Sequence, residues 1–322
     1  MFKDRTKRIY AGILLHLVVC LSAADSPAAS PTAKGGSLGV RTNDGRKQFT
    51  LSADAIWHLN VKERFDASAL TFFKGKLLTI NDRDGGVYEI IPGTNSVAEV
   101  KRTDLFSRRE LAKVAPRRSP RYDCEGLAVD ASGNLYLSEE SQRVIYKSSP
   151  DGKLEAIIVD WSPVRQFFGG DVNASFEGIA VAGDRLYVAN ERSAPRIIIV
   201  DLGERKVVDS FFVDSNGFAF GGPHYTDLAF AEGRLFILNR NHRCVFEVEP
   251  ETKRVLAEYS FAQMELDKAV AYSTDYPTGT MEGLTLNGDY FWMITDNNGK
   301  GRIADAADTR PTLFRCRRPK WN

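Results

Sequence analysis

No long helical period runs through the 322 residues, methionine is scarce at four, and glycine and proline stay modest at 26 and 13. The missing helical repeat excludes a coiled coil, and the ordinary Gly and Pro content excludes collagen and a disordered chain. An excess of one charge is missing as well. Lys and Arg total 43 against 42 Asp and Glu, and without the first 24 residues the balance is 39 against 41. Nothing in that balance points to nucleic acid. A familiar catalytic signature is also absent, with no H-E-x-x-H in the chain. Gly85-Gly86 and Gly221-Gly222 read as turn glycines, and Asp296-Asn297-Asn298-Gly299 lacks the terminal Glu of an EF-hand loop. Beyond Cys20, the cysteines are Cys124, Cys244 and Cys316, an odd number at irregular spacing. That excludes a disulfide framework and zinc spacing, leaving buried free thiols or one disulfide with one leftover.

What is present begins with export. Lys3, Arg5, Lys7 and Arg8 precede an apolar run from Ile9 to Ala23 that closes in small residues at Ala23 and Ala24. This order reads as a secretory signal peptide over residues 1–24. The run contains His16 and is shorter than a bilayer span requires. Residues 25–37 are small, polar and Pro-containing, a flexible leader, and residues 38–322 form the domain. The expected product is a secreted or periplasmic monomer with no transmembrane segment after cleavage.

Length alone allows one domain or two. Internal repetition decides for one. The pattern recurs as SALTFFKGKLLTIND from Ser68, EGLAVDASGNLYLSEE from Glu125, EGIAVAGDRLYVANE from Glu177, TDLAFAEGRLFILNR from Thr226 and EGLTLNGDYFWMITD from Glu282. Each copy alternates apolar residues on both sides of a Gly, Asp or Asn turn, the signature of a β-hairpin. Two further strand-like runs follow most copies, as in Arg196 to Asp201 and Val207 to Val213. Four antiparallel strands in about 50 residues make a β-propeller blade. The last copy is about one strand short, and Ala55 to Val61, which alternates Trp57, Leu59 and Val61, supplies it from the N-terminal side. The expectation is an all-β propeller of five four-stranded blades closed by an N-terminal strand, or six if a divergent repeat is hidden.

In a blade, the start of the innermost strand and the end of the second share one face. The starts are Ser68, Glu125, Glu177, Thr226 with Asp227, and Glu282; the ends are Asn81-Asp82, Glu139-Glu140, Asn190-Glu191, Asn239-Arg240 and Thr295-Asp296. Three glutamates converging on one mouth repel, and burial makes them costlier unless a cation compensates. Oxygens of Glu125, Glu177, Glu282, Asn190 and Asn239 suit a divalent cation, Ca²⁺ before Zn²⁺. The architectural alternative is that each Glu bonds backbone amides and ties the ring together. For catalysis, Glu140 or Glu191 would handle the proton, while Arg192, Arg240 and His224 would donate to an oxyanion or phosphate. Lys101 to Arg121 carries eight basic residues against Asp104 and Glu110. It reads either as a basic rim that draws a small anionic or ester substrate to the mouth, or as a solvated loop or short helix.

The motifs EGLAVD, FEGIAV and MEGLTL, followed by LYLSEE, LYVANE and FWMITD, resemble the secreted bacterial phytase-like family, also described as "esterase-like activity of phytase". The resemblance spans about residues 50 to 318 and implies a β-propeller hydrolase of ester or phosphoester bonds. A more distant resemblance is to gluconolactonase and regucalcin-type propellers, whose E-G-P motif supplies a metal-binding Glu. Here Leu or Ile stands in place of that Pro. Two functions follow: a metal-dependent hydrolase, or a non-catalytic extracellular module that binds a ligand or protein at the same face.

Overall fold

The computed structural model describes residues 40–41, 45–119, 122–169, 175–192, 194–213, 222–274 and 278–321. The segments read as signal peptide and leader lie outside the described residues. Strand follows strand with few interruptions. After β1 (Val40–Arg41), β2 (Lys47–Thr50) and β3 (Ala53–Asn60), the first group is β4 (Ala67–Phe73), β5 (Lys76–Asn81), β6 (Gly86–Pro92) and β7 (Val97–Arg102). A short helix α1 (Arg108–Val114) leads to β8 (Cys124–Val129), β9 (Leu135–Glu139), β10 (Val144–Ser148) and β11 (Leu154–Ile157). The third group is β12 (Phe176–Ala182), β13 (Arg185–Asn190), β14 (Arg196–Asp201) and β15 (Lys206–Phe211). The fourth is β16 (Tyr225–Ala231), β17 (Arg234–Asn239), β18 (Cys244–Glu249) and β19 (Arg254–Ser260), followed by α2 (Ala262–Glu265). The chain ends in β20 (Met281–Asn287), β21 (Tyr290–Thr295) and β22 (Thr312–Arg317).

Tight turns make the hairpins. Lys74-Gly75 and Glu232-Gly233 have positive φ at both positions, the backbone that a two-residue hairpin with right-handed twist requires. The last group lacks a fourth strand of its own, and β3 fills the place. It pairs antiparallel with β22, Trp57 opposite Leu313 and Ile56 opposite Phe314. On its other edge β3 runs parallel to β7, so eight strands form one sheet. In the same way β2 lies parallel on β19, capping the outer edge of the fourth group.

The alternation of side chains distributes five apolar cores between neighbouring groups. Leu78 and Ile80 meet Leu127 and Leu137; Tyr136 and Ile145 meet Ile179 and Val188. Tyr187 and Ile197 meet Leu228 and Ile237, and Phe236 and Tyr259 meet Phe291 and Phe314. Trp57 and Leu313 then meet Leu70 and Leu77, which brings the last group onto the first. Each such buried side chain contributes roughly 1.5–3 kcal/mol relative to exposure. Cys124, Cys244 and Cys316 are free and buried in these cores.

The innermost strands touch in a closed cycle, β4 on β8, β8 on β12, β12 on β16, β16 on β20 and β20 on β4. Their approach explains the glycine of the repeated E-G pair. A Cβ on Gly178 would lie 2.2 Å from the Cα of Asp227, and one on Gly126 2.6 Å from the carbonyl oxygen of Glu177. At the same place every inner strand breaks register with its partner, between Ser68 and Thr71, Cys124 and Gly126, Phe176 and Ile179, Tyr225 and Asp227, and Met281 and Gly283. Such bulges re-aim side chains. No helix among the described residues is long and apolar enough to cross a membrane.

Candidate functional site

Beside these bulges lies a cavity of about 260 Å³. Its walls follow one rule. The residue just past each second strand, Asp82, Glu140, Glu191, Arg240 or Asp296, lines the cavity. Its backbone N–H donates to the carbonyl of Asp66, Asp123, Ser175, His224 or Thr280 respectively, at 2.8–2.9 Å. The residue one step earlier turns away to clamp the loop. Asn81 Oδ1 accepts from the Asp66 N–H at 3.2 Å, Glu139 Oε1 from Asp123 at 3.1 Å and Asn239 Oδ1 from His224 at 3.2 Å.

This rule corrects two expected cation ligands. Asn190 and Asn239 do not line the cavity. Asn190 Nδ2 donates to the carbonyl of Ala194 at 3.0 Å, and Asn239 Nδ2 sits 3.0 Å from His242 Nδ1. Their amides hold loops because the side-chain phase of the strand points them there. Glu125, Glu177 and Glu282 do reach the cavity, together with Asp66, Asp82, Asp123, Glu140, Glu191, Asp296, Arg192 and Arg240. That is nine carboxylates against two arginines, so the wall cannot be fully ionised without further positive charge.

The charges are unevenly compensated. Arg240 forms an ion pair with Glu282 and lies 3.8 Å from Glu191, to which Arg192 adds a contact of 3.2 Å. Glu282 therefore has a counter-charge supplied by the protein itself. Asp66 is held by Arg64 through both carboxylate oxygens, at 2.8 and 2.7 Å. On the other side Asp82, Asp123 and Glu125 each bring an oxygen within 4.8 Å of the others. Burial, then Asp82 and Asp123, push the Glu125 carboxyl well up. Glu177 is pushed up by burial and by Glu191, Glu125 and Glu140. Burial raises Glu140 to about 8 against the pull of the Ser175 N–H, and burial with Asp66 raises Asp296 to about 7. An all-carboxylate donor set fits a hard cation of the Ca²⁺ type and offers none of the sulfur or imidazole that zinc favours. Of the residues expected to hold a cation, Glu125 alone belongs to this triad.

His224 was expected as a donor on the mouth, and it stands behind the wall. Its ring contacts the Glu191 carboxylate and receives Arg240 Nη2 at 3.0 Å from Nδ1. Burial, Arg240 and Arg192 hold it well below the usual imidazole range, so it braces Arg240 as a neutral ring. The basic stretch does not form a rim of this cavity: none of its described residues lines it. Its middle is the short helix α1, anchored in the core by Leu111.

Asp123 and Asp66 escaped the sequence reading because they precede the repeated motif by two residues. Their signal is the repeat extended backwards, Asp66, Asp123, Ser175, His224 and Thr280 being equivalent. Asp227 occupies the place that Gly or Ala holds in the other copies. Its carboxylate accepts from Leu70 N at 3.1 Å, Leu284 N at 2.7 Å and Leu228 N at 2.8 Å, joining three inner strands. Here the architectural role foreseen for the glutamates is taken by an aspartate.

No curated protein matches the sequence. Among solved structures, glutaminyl cyclase of Myxococcus xanthus is 13% identical over 84% of this chain and 97% of its own, with a TM-score of 0.56. Virginiamycin B lyase of Staphylococcus aureus is 11% identical over 87% of this chain and 73% of its own, at 0.40. The first shares the propeller-like fold. Residues 66–299 match the family model "Phytase-like: Esterase-like activity of phytase". Both edges of that match fall at the cavity, between Asp66 on its wall and the loop after Asp296. The chain belongs to the phytase-like family.

Proposed function

We propose that the chain is a secreted or periplasmic five-bladed hydrolase of ester or phosphoester bonds, acting as a monomer and dependent on a divalent cation, Ca²⁺ first. The closed cycle of five inner strands supports the blade count. The carrying observation is one cavity with two unlike sides, the triad Asp82, Asp123 and Glu125 facing a wall that holds Arg192 and Arg240. A divalent cation bound by the triad supplies a polarised water and an electrophile.

The chain's own groups do the rest. Arg240 and Arg192 bind the anionic part of a small ester through charge-assisted hydrogen bonds. Arg240 keeps its aim because Glu282, Glu191 and His224 brace it. Glu140 and Glu191, both almost fully buried, carry the proton between water and leaving oxygen. A wall of nine carboxylates repels an anionic substrate, so substrate binding depends on the cation as well.

The test is a screen of p-nitrophenyl esters, phosphate esters and lactones with metal-stripped protein, with and without millimolar Ca²⁺. Turnover restored by Ca²⁺, lost in EDTA and in Glu125→Gln, is the expected result, with Arg240→Lys raising KM about tenfold or more. Cation binding without any turnover replaces the hydrolase by a ligand-binding module. No response to any divalent cation ends the cation reading.

A further inference from the structure

The basic stretch that misses the acidic cavity builds another. Between the turn after β5, the end of β7 and the start of α1 lies a cavity of about 230 Å³. Arg83, Arg102 and Arg108 line it, with Asp84 as the one acid. Arg102 is already engaged, pairing with Asp84 Oδ2 at 2.5 Å and lying over the Tyr88 ring at 5.5 Å. Arg83 and Arg108 are exposed and make no ion pair among the described residues, so the cavity keeps two cations to offer.

Its floor is apolar, made by Val87, Leu105, Phe106, Leu111 and Tyr122. Phe106 is buried yet has φ of +49°, a left-handed backbone that is costly for a bulky residue. Strain of this kind concentrates where a ligand or a switch requires a fixed shape. Two exposed cations above an apolar floor recognise a particular chemistry. We propose that this cavity is a binding site for a small organic anion with an apolar body, such as an aryl sulfonate or aryl carboxylate. The apolar body lies on Leu105 and Phe106 while Arg83 and Arg108 receive the anionic group.

The site stands back to back with the triad. Arg83 follows Asp82 and Tyr122 precedes Asp123, so one side of each dipeptide serves each cavity. Gly85 seals the join, since a Cβ there would lie 2.5 Å from the Tyr122 carbonyl oxygen.

The inference does not depend on hydrolysis, and its probe, 1-naphthalenesulfonate, has no ester to cleave. Calorimetric titration of the mature protein is expected to give one-to-one binding that weakens with salt. The double variant Arg83→Gln/Arg108→Gln, at two exposed positions outside the acidic cavity, should bind at least tenfold more weakly and keep its response to Ca²⁺. Neutral 1-naphthol and inorganic sulfate should each bind at least tenfold more weakly than the probe. Equal binding by the double variant, or by either control, overturns the site, as does no binding at all.

Discussion

Replacing Glu125 by Gln takes one charge out of the triad while leaving an oxygen for Ser68, whose hydroxyl donates to Glu125 Oε2 at 2.9 Å. With carboxylate oxygens within 4.8 Å of one another, each like-charged pair costs roughly 3 kcal/mol at an effective dielectric near 20. Proton uptake by Glu125, already pushed up by burial and its neighbours, caps that cost. Without a cation the variant is therefore expected to be more stable than wild type by about 1–2 kcal/mol, a rise of a few degrees in Tm. With Ca²⁺ at a hundred times its Kd, wild type gains about 2.7 kcal/mol and the variant far less. The order of melting reverses between EDTA and Ca²⁺. Calorimetric melting of both proteins in both media at pH 7.5 measures this. A variant less stable than wild type in both media would mean that Glu125 serves as a structural acceptor, and the reasoning about crowded charge would be refuted.

Gly178→Ala forces a Cβ to within 2.2 Å of the Asp227 Cα and should cost about 3 kcal/mol or more in urea unfolding. A change below 1 kcal/mol would contradict the tight inner ring. Trp57→Ala removes stacking on Trp292 at 5.6 Å and a 2.7 Å hydrogen bond to the Gly93 carbonyl; a loss of about 3–5 kcal/mol is expected. An unchanged midpoint would deny β3 its closing role. His58 accepts from Arg302 Nη2 at 2.8 Å, and burial with Arg302 lowers its pKa from 6.5 to about 4. The unfolded chain then binds more protons, so stability is full above pH 6.5 and falls as pH drops towards 4. Because His58 is only half-buried, the loss is about 1–2 kcal/mol after solvent screening, and His58→Gln should remove it. Denaturation at pH 4.5 and 7.5 reads the difference, and an equal slope in both proteins would assign it elsewhere.

The hairpins were legible because period-two alternation and turn glycines are local. The closing strand was legible too, since the last repeat lacks a strand and Trp57, Leu59 and Val61 sit in phase to provide it. What local pattern could not give was the phase at the strand ends. Asn190 and Glu191 are neighbours in sequence, yet one clamps a loop and the other faces the cavity. Only the bond from the Glu191 N–H to the Ser175 carbonyl fixes which is which. The partner of Glu282 was equally hidden, because Arg240 comes from the neighbouring group, some forty residues earlier in the chain. The basic stretch had a strong composition and no positional signal, so charge alone left it open between a rim of the mouth and the loop with a short helix that it forms.

The pairing of β3 with β22 imposes an order in time. Trp57 leaves the ribosome roughly 250 residues before its partner Leu313. At about 5–20 residues per second, that interval is on the order of tens of seconds. Through most of it a strand made for burial has only its parallel contact with β7, at three positions, to hold it. Ring closure accordingly waits for β22 and has a long loop to close, a topology that slows folding. A strand made early thus waits for the last of the described strands to become its main partner.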